Sequence, residues 1–482
     1  MESDYRMYVG GEWVQAEEER TFTVLNPANE EMIARVPQAT RGDTQRALQA
    51  AEKARRDWEM LPLKERGEHL RAIACSIHKA KDRLAEIVVR EQGKTLAEAQ
   101  GEMDYTIGFV EYFADFARAI EGDILPSDRK DESLWIMKVP FGVVVGIIPW
   151  NYPAAIFARK IAPALIAGNT IVVKPSSNTP ISALEIMKLI DEETGLPKGV
   201  INVVTGKGAV VGEGLVRNPI TQMVSMTGSV EVGRRILKLA SGNFTKVSLE
   251  LGGKAPFVVW NDANLDLTVK YAIEARFSNC GQVCISNERM YLHQDIAKDF
   301  MEKFLKAVEA ISIGDPMKPD THMGPLVSYE QRQKVETFVK QAIHQGAKLI
   351  IGGETPSGRD FQKGYWYKPT VFTNVKQGME IMQKEIFGPV IPVMEVSDFD
   401  KTIDLCNDSG YGLAAYIFTK DVARVMKAVR DIRFGEFYIN RPGGESFHGY
   451  HTGWRQSGLD GDDGKYGLEE YLQKKTVYLR WG

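Results

Sequence analysis

From residue 143 to residue 251 the sequence repeats one pattern, a short apolar run followed by a segment of helical periodicity. No other feature limits the possible folds as much. Val143-Val144-Val145-Gly146-Ile147-Ile148 is a near-continuous apolar run of the kind a strand buried on both faces needs. Thr170 to Lys174 precedes a helix beginning near Pro180, Val200 to Val204 a short glycine-punctuated helix, and Gln222 to Met226 another, before Val247 to Leu249 closes the series. Strands alternating with helices on this scale predict a parallel, doubly wound α/β sheet. Ligands of such sheets sit at the carboxyl ends of the strands, so the informative residues are those just after each run.

The alternation restarts beyond Gly252-Gly253 with Pro256 to Trp260, a helix ending near Cys284 and a strand at Arg289 to Leu292, a second α/β unit over about 251–440. Upstream, a strand-like opening (Met7 to Val14) gives way to helical periodicity from about Asp43. Ala47, Leu48, Ala51 and Ala54 form its apolar stripe, and Asp43 or Thr44 is placed to cap it. Similar stripes run from Leu70 to Val89 and from Tyr105 to Ile120, with Gly93 and Gly122 as expected stops. Ser133 to Lys138 and the tail Lys475 to Trp481 read as strands outside both sheets, an arm suited to pairing with another subunit. A chain of 482 residues, 44% hydrophobic, has ample apolar content for about three domains.

A net charge of −4 with interspersed signs leaves no basic footprint for nucleic acid, which favours a small-molecule partner. No segment is apolar for the length a membrane span needs, and Met1 to Arg6 lacks the regions of a signal peptide, so a cytoplasmic location is expected. The four cysteines, Cys75, Cys280, Cys284 and Cys406, are too few for a disulfide framework and are expected as thiols. Cys280 and Cys284 have no second Cys/His cluster of zinc spacing, so no metal is expected. Cys75 and Cys406 read as buried small hydrophobes.

Cys284 differs from these because Gly281-Gln282-Val283 before it permits close backbone approach, a setting for a nucleophile. A free thiol titrates near about 8.5, so attack at neutral pH predicts a local depression of that value. Glu250, followed by the pair Gly252-Gly253, is the carboxylate placed to activate water, or else a salt-bridged residue. Asn151, just after the first apolar run, suits an oxyanion donor as well as a turn. Gly228-Ser229-Val230-Glu231-Val232-Gly233 follows a strand and opens a helix. It either presents amides to a phosphate or is an ordinary glycine turn. Lys174 ends a strand, placed for a ribose hydroxyl or phosphate, or for solvent.

Taken together, Pro149-Trp150-Asn151, Lys174-Pro175-Ser176, Gly228 to Gly233, Glu250 to Lys254, Gly281 to Cys284 and Glu385-Ile386-Phe387-Gly388-Pro389 resemble the NAD(P)-dependent aldehyde dehydrogenase superfamily in order and spacing. The resemblance implies a Rossmann-type cofactor domain (1–122 and 141–250), an α/β catalytic domain (251–440) and a β-strand oligomerisation arm (123–140 and 463–482) that builds homodimers or homotetramers. It implies that Cys284 attacks the aldehyde, Asn151 holds the oxyanion, hydride passes to NAD or NADP, and Glu250 activates water against the thioester. Trp150, Lys174, Ser177, Gly228, Ser229, Gly233, Glu385 and Phe387 match cofactor-binding positions. Where many NAD-preferring members carry a glutamate, this chain has Ser177, which removes a repulsion against a 2′-phosphate and predicts that NADP is accepted.

The C-terminal stretches Tyr438 to Arg441 and Gly449 to Arg455 resemble the lactaldehyde/glycolaldehyde dehydrogenases. Arg159, Glu445 and His451 match the residues that contact a small hydroxylated substrate there. Arg159 also suits an anionic tail, so succinate semialdehyde or sulfolactaldehyde stands as the second expectation, and a catalytically silent member as a third.

Overall fold

The computed structural model describes residues 4–481, so the first residues read for a leader and the last of the expected arm lie outside them. The apolar runs form five parallel strands in the spatial order Ile201–Val203, Thr170–Lys174, Val143–Ile147, Met223–Gly228 and Lys246–Leu251. From Val143–Ile147 the chain winds outward to one side and then returns to build the other. That reversal opens a crevice beyond the carboxyl ends of Val143–Ile147 and Met223–Gly228, where doubly wound sheets bind ligands. Antiparallel strands close the edges, Met7–Val9 and Glu12–Val14 on one side and Gly458–Leu459 on the other.

The helix Pro153–Ala167 is buried along its whole length, as its nearly all-round apolar sequence requires. Pro153 opens it, where a missing N–H costs nothing. A second sheet runs Lys348–Ile351, Thr370–Thr373, Val390–Val396, Asn287–His293, Ala255–Val259, Ala414–Phe418, Glu436–Ile439, all parallel except its first strand. Only Gly252, Gly253 and Lys254 separate the last strand of one parallel set from the first strand of the other. A third, antiparallel sheet pairs Leu472–Arg480 with Glu132–Pro140 along their full length and adds Asp123–Pro126. Ile124, Met137, Tyr478 and Trp481 stand exposed on it or at its end.

Several local expectations change. The cap of the helix Arg41–Met60 is Thr40, while Asp43 returns a carboxylate to the Thr40 N–H and completes a capping box. The helix Leu96–Asp115 stops short of Gly122, although Gly93 does end the helix before it. Cys75 is exposed, whereas Cys406 is buried. Residues 463–471, expected in the arm, fold back onto the helix Pro153–Ala167 instead. Buried Lys160 and Arg159 on that helix need anionic partners, and Asp462 and Asp463 supply them at 2.6 and 2.9 Å.

Candidate active site

At the crevice lies a cavity of about 450 Å³ walled by both parallel sheets. Cys284, Glu250, Asn151, Arg159 and Glu445 line it, as do Trp150, Gly228, Ser229, Glu385 and Phe387. Lys174, Ser177, Gly233 and His451 do not line it.

The turn that presents Cys284 is backbone-strained. Asn279 and Cys280 both take left-handed conformations, at φ 48° and 56°, and Gly281 follows at φ 73°. For residues with a Cβ this costs about 1–2 kcal/mol each, so the surroundings must over-determine it. They do. Asn279 donates its N–H to Glu98 (2.6 Å), accepts from Gln92 (2.8 Å) and donates its amide to the Asn151 carbonyl (3.0 Å). Arg276 holds the Gly281 carbonyl at 2.7 Å, and a side chain at Gly281 would meet the Gly388 carbonyl.

Asn151 is fixed from the same side. Its backbone carbonyl also accepts from Lys94 Nζ at 2.9 Å, and Lys94 pairs with Glu102 inside the protein. The other oxygen of Glu102 accepts the N–H groups of Ala154 and Ala155, which satisfies donors at the start of the helix Pro153–Ala167. The Asn151 amide donates one hydrogen to the Gln282 carbonyl (3.1 Å), and its nitrogen carries a second.

Glu250 is surrounded by donors. Oε1 accepts from His451 Nε2 at 2.7 Å and from the Cys284 thiol at 3.6 Å; Oε2 accepts from Thr227 at 3.0 Å and faces Arg159 at 3.6 Å. Burial alone would raise its proton affinity, but the His451 charge and hydrogen bond, with Arg159, outweigh burial and hold the carboxyl well below the usual range. Cys284 goes the other way from the depression predicted above. Burial first, and then the Glu250 carboxylate, push its thiol up to about 12. The sulfur is therefore held as a protonated donor facing Glu250, not as a standing thiolate.

On the nucleotide side, Ser229 caps the eleven-residue helix Val230–Ala240 by accepting the Val232 N–H. Gly233 packs closely against Leu251, whose side chain would have to move to admit a Cβ there. Glu385 accepts the Gly253 N–H at 2.8 Å, which needs the bare Gly252: a Cβ there would sit 2.4 Å from Glu385 Oε1. Burial first, with neighbouring Glu288, raises the Glu385 carboxyl to about 7. Glu288 accepts the N–H groups of Ile386 and Phe387, both at 2.8 Å, so it holds the segment carrying Glu385 and Phe387. Trp150 meets Phe387 edge to face. Behind them, burial lowers Lys174 to about 8, and its Nζ donates to the Pro175 carbonyl. Ser177 donates to the Gly206 carbonyl at 3.1 Å. A helix N-terminus at the switch point, a buried lysine and a carboxyl beside a glycine pair fit a dinucleotide.

Arg159 Nη2 donates to the Tyr105 hydroxyl at 2.6 Å and to Asp463 at 2.9 Å, while its Nε is buried without a partner among the described residues. His451 departs from its expected place at the substrate. It is 0% exposed behind Glu250, with its two ring nitrogens each 2.7 Å from a carboxylate oxygen, on Glu250 and on Glu436. Tyr105, Asp463 and Glu436 were not anticipated. Arg159 and Asp463 lie 304 residues apart, and no local pattern announces such a pair.

These features place the molecule among oxidoreductases that use NAD or NADP. More narrowly, the chain belongs to the aldehyde dehydrogenase family, whose model matches residues 13–477. It is 44% identical over 475 residues to the lactaldehyde dehydrogenase of Escherichia coli (strain K12), with 98% of each chain covered. Over 476 residues it is 42% identical to a D-glyceraldehyde dehydrogenase (NADP(+)) of Picrophilus torridus, covering 98% of this chain and 96% of that one. A solved structure of 3,6-anhydro-L-galactose dehydrogenase in complex with NADP matches with a TM-score of 0.97 at 46% identity, covering 99% of this chain and 100% of that one. The chain is thus an NAD(P)-dependent aldehyde dehydrogenase. No helix among the described residues is long and apolar enough to cross a membrane.

Proposed function

We propose that this enzyme oxidises a small uncharged hydroxyaldehyde, lactaldehyde or glycolaldehyde, to its carboxylic acid. The observation that carries this reading is the state of Arg159. Its guanidinium is neutralised by Asp463 at 2.9 Å and faces Glu250 at 3.6 Å, while Glu445 lines the same cavity. An arginine so paired is a poor clamp for a substrate carboxylate or sulfonate, and the adjacent acid repels one. That argues against the semialdehydes. The Tyr105 hydroxyl, which accepts from Arg159 and so has its own hydrogen to donate, and the Glu445 carboxylate form a donor and acceptor for a substrate hydroxyl.

In this reading Cys284 attacks the aldehyde carbon as its proton passes to Glu250, 3.6 Å away, and the Asn151 amide donates to the new oxyanion. NAD(P), when bound, supplies the hydride acceptor. Glu250 releases the thiol's proton to solvent and, ionised again, takes a proton from water as the water oxygen adds to the thioester carbon. The C–S bond breaks, the acid leaves, and Cys284 recovers its proton. Trp150, Gly228, Ser229, Gly233, Glu385 and Phe387 form the cofactor side, with Lys174 and Ser177 toward the adenosine. The exposed apolar side chains of the arm support a homodimer or homotetramer, and a cytoplasmic location agrees with the thiol chemistry.

Steady-state reduction of NAD and NADP against L-lactaldehyde, glycolaldehyde and succinate semialdehyde tests the substrate. Higher kcat/KM for the hydroxyaldehydes is expected; a preference for succinate semialdehyde would overturn the reading. Ser177→Glu is expected to lower kcat/KM for NADP by roughly 100-fold through like-charge repulsion, with NAD little affected. Equal effects on both cofactors would remove Ser177 from the 2′-phosphate.

A further inference from the structure

His451 is placed between acids from both parallel sheets. Glu250 lies on the strand Lys246–Leu251 and Glu436 on the strand Glu436–Ile439, while His451 begins the short strand His451–Thr452 that pairs with Gly461–Asp462. Nε2 is 2.7 Å from Glu250 Oε1 and Nδ1 is 2.7 Å from Glu436 Oε1. An ionised carboxylate only accepts, so satisfying both contacts requires both ring nitrogens to donate, which describes an imidazolium. Glu436 is itself fixed, since its other oxygen accepts the Tyr438 hydroxyl at 2.7 Å.

The surrounding charges make that cation consequential. Glu445 lies 3.4 Å from Nδ1, and the Cys284 sulfur is within hydrogen-bond reach of the ring. Two further cations act on Glu250, Arg159 at 3.6 Å and Lys160, but they are paired with Asp463 and Asp462. Without a charge at position 451, Glu250 would share a buried site with further acids. Carboxylates in such a site take up a proton in place of ionising together.

We propose that His451 is a positioning residue for Glu250, an imidazolium braced on Glu436 that keeps the general base ionised and aimed at the acyl-enzyme carbon. The inference rests on Glu250 acting as that base. It gives His451 work other than contact with the substrate, and it predicts that the charge, not the ring, is what matters. Burial works against protonation of His451, but Glu250, Glu436 and Glu445 together raise its affinity well above the ordinary histidine value.

The test is the pH dependence of turnover in His451→Gln and His451→Lys, with Glu250→Gln as control. Glu250 in the parent enzyme ionises below the usual carboxylate range, so its acid limb lies at low pH. Removing the neighbouring cation raises that affinity, so the limb moves up. His451→Gln is expected to move the acid limb from the acid range up to roughly pH 8–9, the range of a buried uncompensated carboxyl, so that kcat near neutrality falls by about 10–100-fold and activity recovers at alkaline pH. His451→Lys is expected to return the limb toward the parent position. Glu250→Gln is expected to be inactive throughout, with no recovery. A His451→Gln enzyme whose loss is the same at every pH, or whose defect lies in KM alone, overturns the proposal while leaving Glu250 as base. An active Glu250→Gln overturns the base assignment and the proposal with it. A wild-type readout guards against misfolded variants: in histidine-labelled protein, one of the seven histidines should keep imidazolium nitrogen shifts at pH 8, well above the usual histidine range. Seven neutral rings at pH 8 would refute it.

Discussion

Cys284→Ala is expected to abolish NAD(P)H formation, by on the order of 10⁵-fold in kcat, while leaving cofactor binding unchanged. Losing a covalent nucleophile removes the whole thioester route, and such losses are of that size because the remaining groups cannot act without it. The fold should tolerate the change. The strained turn is held by Asn279, Arg276 and Gln282, none of which bonds through the sulfur. Stability is expected to fall by about 1 kcal/mol, because the change removes only the thiol's long contact with Glu250 and a small part of its packing against the core. Stopped-flow absorbance at the reduced-nicotinamide band, with NADP binding measured separately, checks both parts. Retained turnover in the alanine enzyme would rule out covalent catalysis at this position.

The second large effect is expected at Asn151. Asn151→Ala should lower kcat by on the order of 10²–10³-fold, the usual result of removing one oxyanion donor, with KM nearly constant because the oxyanion exists only after attack. The amide is well placed to be rigid. The Asn151 carbonyl is gripped by Lys94 and Asn279, its side chain donates to Gln282, and Glu102 fixes the helix start beyond it. Since the backbone contacts do not need the side chain, the alanine enzyme should fold and bind cofactor. A change confined to KM would assign Asn151 to substrate binding instead.

The strands were legible because burial on both faces leaves a near-continuous apolar run, which Val143 to Ile148 and Thr170 to Lys174 both carry. Their parallel winding followed from alternation, and the switch point followed from the winding. Asn151, Gly228 and Ser229, at or just beyond the ends of those strands, are therefore legible in the chain itself, as are Cys284 and Glu250 through the glycines beside them. Gly252 shows the reason: its bareness admits the Glu385 carboxylate, a steric demand that leaves a mark on the sequence itself.

Strand burial, glycine spacing and loop position are local properties, so the reactive groups and the crevice they face can be read along the chain. The state of those groups depends on partners that only folding brings near. Asp463 neutralises Arg159 from 304 residues away, and His451 reaches Glu250 from 201 residues away. The Cys284 thiol is raised where a depression had been predicted, because folding buries it beside Glu250. Electrostatic energies depend on distance and burial in three dimensions, which have no period and no spacing along the chain.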